Sequence, residues 1–195
     1  MLNDTILETF RGLLDEARAS PDREPEAMTL ATAAPDGRVH ARIVLLKGVD
    51  AQGFRFYTNY ESAKGRQLEA HPQVALIFHW KQLREGVQVR VEGRVERLSA
   101  AESDAYFATR KRGSQIGAWA SHQSEPLPDR ETFEARVAEY ENRFEGVDVP
   151  RPPHWGGYLV RADAIEFWYG ARFRLHERVR WELQGDTWTH GLLYP

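Results

Sequence analysis

Arginine, histidine and arginine recur at every second position in RFRLHER, residues 172–178, with Phe173 and Leu175 between them. On a strand this spacing sets Arg174, His176 and Arg178 on one face and turns Phe173 and Leu175 to the other. Three cationic or titratable groups so placed repel one another unless something anionic or rich in π electrons lies between them. A histidine near neutrality adds a means of moving protons. A solvated edge strand is the plainer alternative.

Three other stretches carry chemistry. In HARIVLLKG, strand alternation puts Arg42, Val44 and Leu46 on one face and Ile43, Leu45 and Lys47 on the other. Lys47 ends an apolar run and either serves a site or simply reaches solvent. FYTNYESAKGRQL carries Thr58, Asn59 and Ser62 into a helix that begins near Lys64. Hydroxyls, free N–H groups and a lysine at a helix N-terminus suit a phosphate; Asn59 or Ser62 equally suits ordinary capping. YFATRKRGSQIGAWASHQS places Tyr106 and Arg110 four residues apart, then Ser114, then Gln123 and Ser124. An arginine, a phenol and a hydroxyl that converge can grip a phosphate dianion, while Arg110, Lys111 and Arg112 also fit a helix end through the macrodipole alone. Upstream of RFRLHER, EFWYGA adds Trp168.

The elements that must position these groups fit one domain, 1–195. The chain has 195 residues, a net charge of −3 and no cysteine, which excludes disulfide frameworks, thiolate metal sites and cysteine nucleophiles. No metal site is expected. No basic footprint suggests nucleic acid or anionic lipid. The charged N-terminal stretch lacks the apolar run of a signal peptide or membrane span, so a soluble, cytoplasmic protein is expected.

Residues 3–19 show helical spacing behind a cap at Asn3 or Asp4. Asp36-Gly37 marks a hairpin between MTLATAA and VHARIVLLK. VDAQG reads as a second turn before the strand FRFYTN. A short helix over 62–70 precedes the strands QVALIFHW and VQVRVEGRVERL, and helices follow at 99–110 and 129–144. In the last of these Phe133, Val137, Tyr140 and Phe144 share a side. From Gly157 the chain returns to strands: GYLVRADAIEFWYG, RFRLHERVRWELQ and a short final one. Roughly seven or eight strands with three or four helices, and no Gly-rich strand-to-helix turn, favour a mainly β (α+β) antiparallel barrel with peripheral helices over a dinucleotide-binding fold.

In order along the chain, RIVLLK, FYTN, SQIGAW followed by SHQS, WGGY, and IEFW with RLHER resemble the pyridoxamine 5′-phosphate oxidase family. The resemblance runs from about Ala27 to the C-terminus. It implies an FMN-binding split β-barrel and a homodimer with FMN in clefts between the subunits, the C-terminal strands 157–195 completing the active site. The implied reaction converts pyridoxamine and pyridoxine 5′-phosphates to pyridoxal 5′-phosphate, with O2 as acceptor and H2O2 released. It gives Arg42, Lys64, Tyr57, Thr58 and Ser62 to the flavin and its phosphate, within a run that includes Ile43, Val44, Leu45, Leu46 and Lys47. Gln88, Gln123, Ser124, Trp168 and Arg178 also match cofactor positions, some reaching from the partner subunit. Lys47, Tyr106, Arg110 and Ser114 match the grip on the substrate phosphate, and Arg174, Leu175 and His176 lie beside the pyridine ring, with Arg174 and His176 as the catalytic pair.

The chain departs from the family pattern at Ala63, where relatives carry arginine, and in KQLREGVQ, two residues longer than usual. It also departs at Leu192-Leu193, where relatives have Arg-Leu, and in its short N-terminal segment, which implies a more open pocket. Competing readings are a related split-barrel flavoenzyme acting on a phenazine precursor and a non-catalytic binder of flavin or pyridoxal phosphate.

Overall fold

The hydrophobic periodicity of residues 4–19 becomes the plug of a curled sheet. In the computed structural model, which describes residues Met1–Pro195, helix α1 (Asp4–Ala19) is capped by Asn3, whose side chain accepts from the Ile6 N–H at 2.8 Å. Ile6, Phe10, Leu13, Leu14 and Ala17 are buried. Phe10 meets Phe54 edge to face at 5.0 Å and Phe78 at 5.1 Å, an arrangement that favours ring quadrupoles as well as area burial.

Asp36-Gly37 turns the chain between β1 (Ala27–Ala33) and β2 (Val39–Leu45). The remaining strands are β3 (Gly48–Asp50), β4 (Gly53–Asn59), β5 (Gln73–Trp80), β6 (Val87–Arg97), β7 (Trp155–Tyr169), β8 (Glu177–Gln184) and β9 (Thr187–Leu192). They form one sheet in the order β2-β1-β5-β6-β7-β4-β3, with β8 added to β7 and β9 to β8, every pairing antiparallel. β2 returns against β4, and the Lys47 N–H donates to the Arg55 carbonyl at 2.8 Å. The sheet thus curls into an antiparallel split barrel.

The long strand β7 changes partners along its length. Trp155–Val160 pair with β4, and Ala164–Tyr169 pair with β8. Between them the register with β6 slips at Glu92/Gly93. A Cβ on Gly93 would stand 2.1 Å from the Arg161 carbonyl oxygen, so this bulge requires glycine. The two ends of β7 consequently present two separate groups of side chains.

Helices α2 (Ala63–Ala70), α3 (Ala100–Ala108), α4 (Arg112–Ala120) and α5 (Arg130–Arg143) lie around the sheet. Phe107, Ile116, Phe144, Val149 and Trp155 form a small second core under them, with Val137 and Tyr140 packed against it. No helix is long and apolar enough to cross a membrane.

Three expectations need correction. Helix α4 was not foreseen, because Gly113 and Gly117 lower its propensity and its N-cap, Lys111, makes no side-chain cap bond. The turn VDAQG contributes part of the short strand β3. RFRLHER is not one strand: Arg172–Arg174 form a 3₁₀ turn and β8 begins only at Glu177. The register pairs Tyr169 with Glu177, which leaves 170–176 as the connecting loop, so Arg174, His176 and Arg178 do not alternate on a common face.

Candidate active site

A cleft of about 700 Å³ opens where β2, β4, α2, α3 and α4 meet, within the range of small-molecule sites. Lys47, Lys64, Arg110 and Lys111 line it, and no aspartate or glutamate does. A chain with a net charge of −3 has here gathered four cations without a counter-ion. Of the expected site residues, Ile43, Val44, Leu45, Lys47, Tyr57, Thr58, Lys64, Tyr106, Arg110, Ser114 and Gln123 reach this cleft.

At one end, Lys64 in the first turn of α2 donates to Gln123 Oε1 at 2.9 Å, and the Thr58 hydroxyl reaches the same oxygen at 3.3 Å. Ser62 caps the helix, accepting from the Gly65 N–H at 3.2 Å and donating to the Asn59 carbonyl at 2.7 Å. Ser62 thus caps the helix, while Lys64 faces the cleft. Arg42 lies just behind, donating to Thr32 Oγ1 at 2.7 Å, Gln67 Oε1 at 2.9 Å and the Leu30 carbonyl at 3.1 Å. All its partners are neutral. Burial lowers the Arg42 pKa, and burial with the nearby Arg42 charge lowers that of Lys64; both groups lack an anion.

At the other end, aromatic faces build a platform. Tyr57 on β4 stacks on Tyr106 of α3 with centroids 3.8 Å apart, and on Trp155 at 5.6 Å. Gly157, opposite Tyr57 on β7, makes room for this, since a Cβ there would come within 2.7 Å of the Tyr57 ring. Arg110, in the bend between α3 and α4, lies over the Trp155 indole at 4.5 Å. Its Nη1 is buried without a hydrogen-bond partner. Burial lowers the Arg110 pKa and raises those of Tyr106 and Tyr57, the first tempered by the Arg110 charge. Ser114 and Lys111 stand at the N-terminus of α4, whose dipole also favours an anion.

The other expected residues lie outside the cleft of this chain. Leu46 is buried in the main core. Ser124 sits in the loop after α4 at φ +75°. Gln88, Trp168 and Arg178 face one another in a row across β6, β7 and β8. The His176 ring lies 4.4 Å from that of Trp168, and its Nδ1 accepts from the Ala171 N–H at 3.1 Å. Phe173 and Arg174, in the loop above, hold φ of 58° and 62°, a strained region for non-glycine residues. Phe173 is 90% exposed and Leu175 is also exposed. Trp155 at the cleft and Trp168 in this second group are separated by roughly 40 Å of strand path. Trp155, Lys111, Ser121 and Phe133 also line the cleft, though the sequence reading assigns none of them to a site. Lys111 lay in the basic run TRKRGS, where macrodipole stabilisation alone explained it.

Residues 13–144 match the family model described as pyridoxamine 5′-phosphate oxidase, and residues 155–195 match that of the pyridoxine 5′-phosphate oxidase C-terminal dimerisation region. Pyridoxine/pyridoxamine 5′-phosphate oxidase from Xanthomonas euvesicatoria pv. vesicatoria is 58% identical over 191 residues, 97% of this chain and 96% of its own. The protein of the same name from Rubrobacter xylanophilus is 56% identical over 97% of this chain and 86% of its own. Among solved structures, PhzG from Burkholderia lata 383 in complex with tetrahydrophenazine-1-carboxylic acid superposes with a TM-score of 0.88 at 34% identity, covering 98% of this chain and 91% of its own. An FMN-binding protein from Nostoc punctiforme shares the fold at a TM-score of 0.79 and 16% identity, with all of both chains covered. The chain belongs to the pyridoxamine 5′-phosphate oxidase family.

Proposed function

We propose that this chain is an FMN-dependent oxidase that converts pyridoxamine 5′-phosphate and pyridoxine 5′-phosphate to pyridoxal 5′-phosphate, with dioxygen as acceptor and hydrogen peroxide as co-product. The observation that carries the reading is the cleft lined by four cations and no carboxylate, with Arg110 Nη1 buried and unpartnered. Such a site is costly unless an anion completes it. Relatives at 56–58% identity bear the name of this activity.

The flavin end fits FMN: Arg42 and Lys64 are two partly buried cations with only neutral partners, and a phosphate would supply what they lack. Thr58, Tyr57 and Gln123 border the same space. Bound there, FMN supplies the two-electron acceptor for the C4′ hydride and the route by which dioxygen takes those electrons away. The protein supplies geometry and field. Lys47, Tyr106, Arg110 and Ser114 hold the substrate phosphate; Arg110 contributes a charge-assisted, directional contact, and its seat on Trp155 fixes where that contact points.

The second group, Gln88, Trp168, Arg174, His176 and Arg178, reaches the cleft from the partner subunit of a homodimer. The length of strand between the two groups supports this division, as does the match of residues 155–195 to a dimerisation region. Arg174 and His176 orient the pyridine ring so that C4′ faces the flavin, the His176 ring being held by the Ala171 N–H at its Nδ1.

A carboxylated phenazine precursor, as bound by PhzG, needs fewer cations than a phosphate dianion, so Lys47, Arg110 and Lys111, the lining cations apart from Lys64, favour the phosphorylated vitamin. The test is turnover in air with pyridoxamine phosphate and with unphosphorylated pyridoxamine. Peroxide and pyridoxal phosphate formed one for one from the phosphorylated amine, and little from the other, supports the assignment. Equal rates with both amines overturn it.

A further inference from the structure

Of the 29 acidic residues in the chain, only Glu166 is buried, 2% exposed in the C-terminal half of β7. A carboxylate in such a place costs several kcal/mol unless it is paired and hydrogen-bonded. Arg178 on β8 grips it with a fork, Nε to Oε1 at 2.8 Å and Nη2 to Oε2 at 3.1 Å. Arg90 on β6 approaches Oε2 from the other side at 3.4 Å. The free side of Arg178 is also held: Nη1 donates to the Tyr194 carbonyl at 3.0 Å, and the Leu193 N–H donates to the Arg178 carbonyl at 3.0 Å. An outer layer, Glu92 with Arg90 and Arg180, and Glu182 with Arg180, keeps the neighbouring charges engaged.

Stability alone does not call for this arrangement, because apolar side chains of similar volume at a buried ion pair are often as stable or more so. What the fork adds is direction. With Nε and one N–H of each terminal nitrogen spent, the guanidinium plane is fixed and the other N–H of each terminal nitrogen stays available. Trp168 stands directly across the ladder from Arg178, two residues beyond Glu166 on β7. We propose that Glu166 is a positioning residue for the oxidation. It acts through Arg178, setting the one orientation in which that guanidinium meets the cofactor across the dimer. This rests on the assignment of Arg178 to FMN made above.

The test uses the full-length holoprotein with Glu166→Gln, Arg178→Ala, Arg178→Lys and the Glu166→Gln/Arg178→Ala double variant. FMN dissociation, the visible circular dichroism of bound flavin, and kcat and KM for pyridoxamine phosphate are the readouts. Glu166→Gln is expected to weaken FMN about tenfold or more and to change the flavin dichroism. KM should stay within about twofold, because the phosphate grip is untouched. Arg178→Ala should match it, and the double variant should be no worse than Arg178→Ala, the signature of two residues acting as one unit. Arg178→Lys, which keeps the charge but cannot fork, should resemble Arg178→Ala; this arm holds even if Glu166→Gln does not fold. Losses that multiply in the double variant, or Arg178→Lys with wild-type flavin behaviour, overturn the positioning role. Arg178→Ala effects with a silent Glu166→Gln overturn it alone, whereas a silent Arg178→Ala overturns the cofactor assignment as well.

Discussion

Arg110 lies over Trp155, its guanidinium carbon 4.5 Å from the ring centroid, with one terminal nitrogen buried and unbonded. A cation held this way is pre-positioned and unsatisfied at once. Arg110→Ala should therefore weaken the phosphorylated substrate by about 1.5–3 kcal/mol, roughly 10- to 150-fold in KM. The ligand-free protein should lose no more than about 1 kcal/mol, since an unpaired desolvated charge leaves with the packing. Steady-state kinetics and thermal melts of the same sample check both halves.

Lys64 makes FMN affinity depend on pH. Burial and the Arg42 charge hold its pKa below that of an exposed lysine, so it loses its proton first as pH rises. Affinity of the apoprotein for FMN should decline as pH rises on the alkaline side, at lower pH than exposed lysines titrate. Lys64→Arg should move that decline to higher pH, as read by quenching of flavin fluorescence.

Gly157 is where backbone and site meet. A methyl group there would stand 2.5 Å from Leu98 Cδ1 and 2.7 Å from Tyr57 Cε1. Gly157→Ala should cost about 1–3 kcal/mol of stability through overpacking and disturb the Tyr57–Tyr106 stack. A lowered melting temperature together with weaker substrate binding is the expected pair of results.

Two impaired variants, assayed at a substrate concentration far below the raised KM of Arg110→Ala, should rescue each other if the site is shared between subunits. Arg110→Ala and Arg174→Ala damage opposite groups, so a mixed dimer carries one site with both changes and one intact site. Random assortment on co-expression should restore about a quarter of wild-type activity, measured as peroxide release. No recovery above the separate variants would place both residues in one subunit's site.

The fold was largely legible because its signals are local. Helix α1 follows from its cap and periodicity, and β1, β2, β5 and β6 from alternation and turn residues. Clustering of Lys47, Tyr106 and Arg110 needed the family motifs, because nothing in their spacing along the chain brings a strand end to a helix end. The loop at 172–176 misled because its alternation mimics a strand, while the register of β7 with β8, a tertiary property, decides where pairing starts. The tie between Glu166 and Arg178 was equally invisible. An acidic residue inside the apolar run IEFW gives no hint of which arginine of a neighbouring strand will meet it.

The most direct measurement is an absorption spectrum of the purified holoprotein, taken without oxygen before and after addition of pyridoxamine 5′-phosphate. The visible flavin band should be present at the start, fade on addition, and return when air is admitted, with peroxide appearing as it does. A colourless protein after reconstitution with FMN, or a flavin band that stays unchanged with the amine bound, would contradict the account.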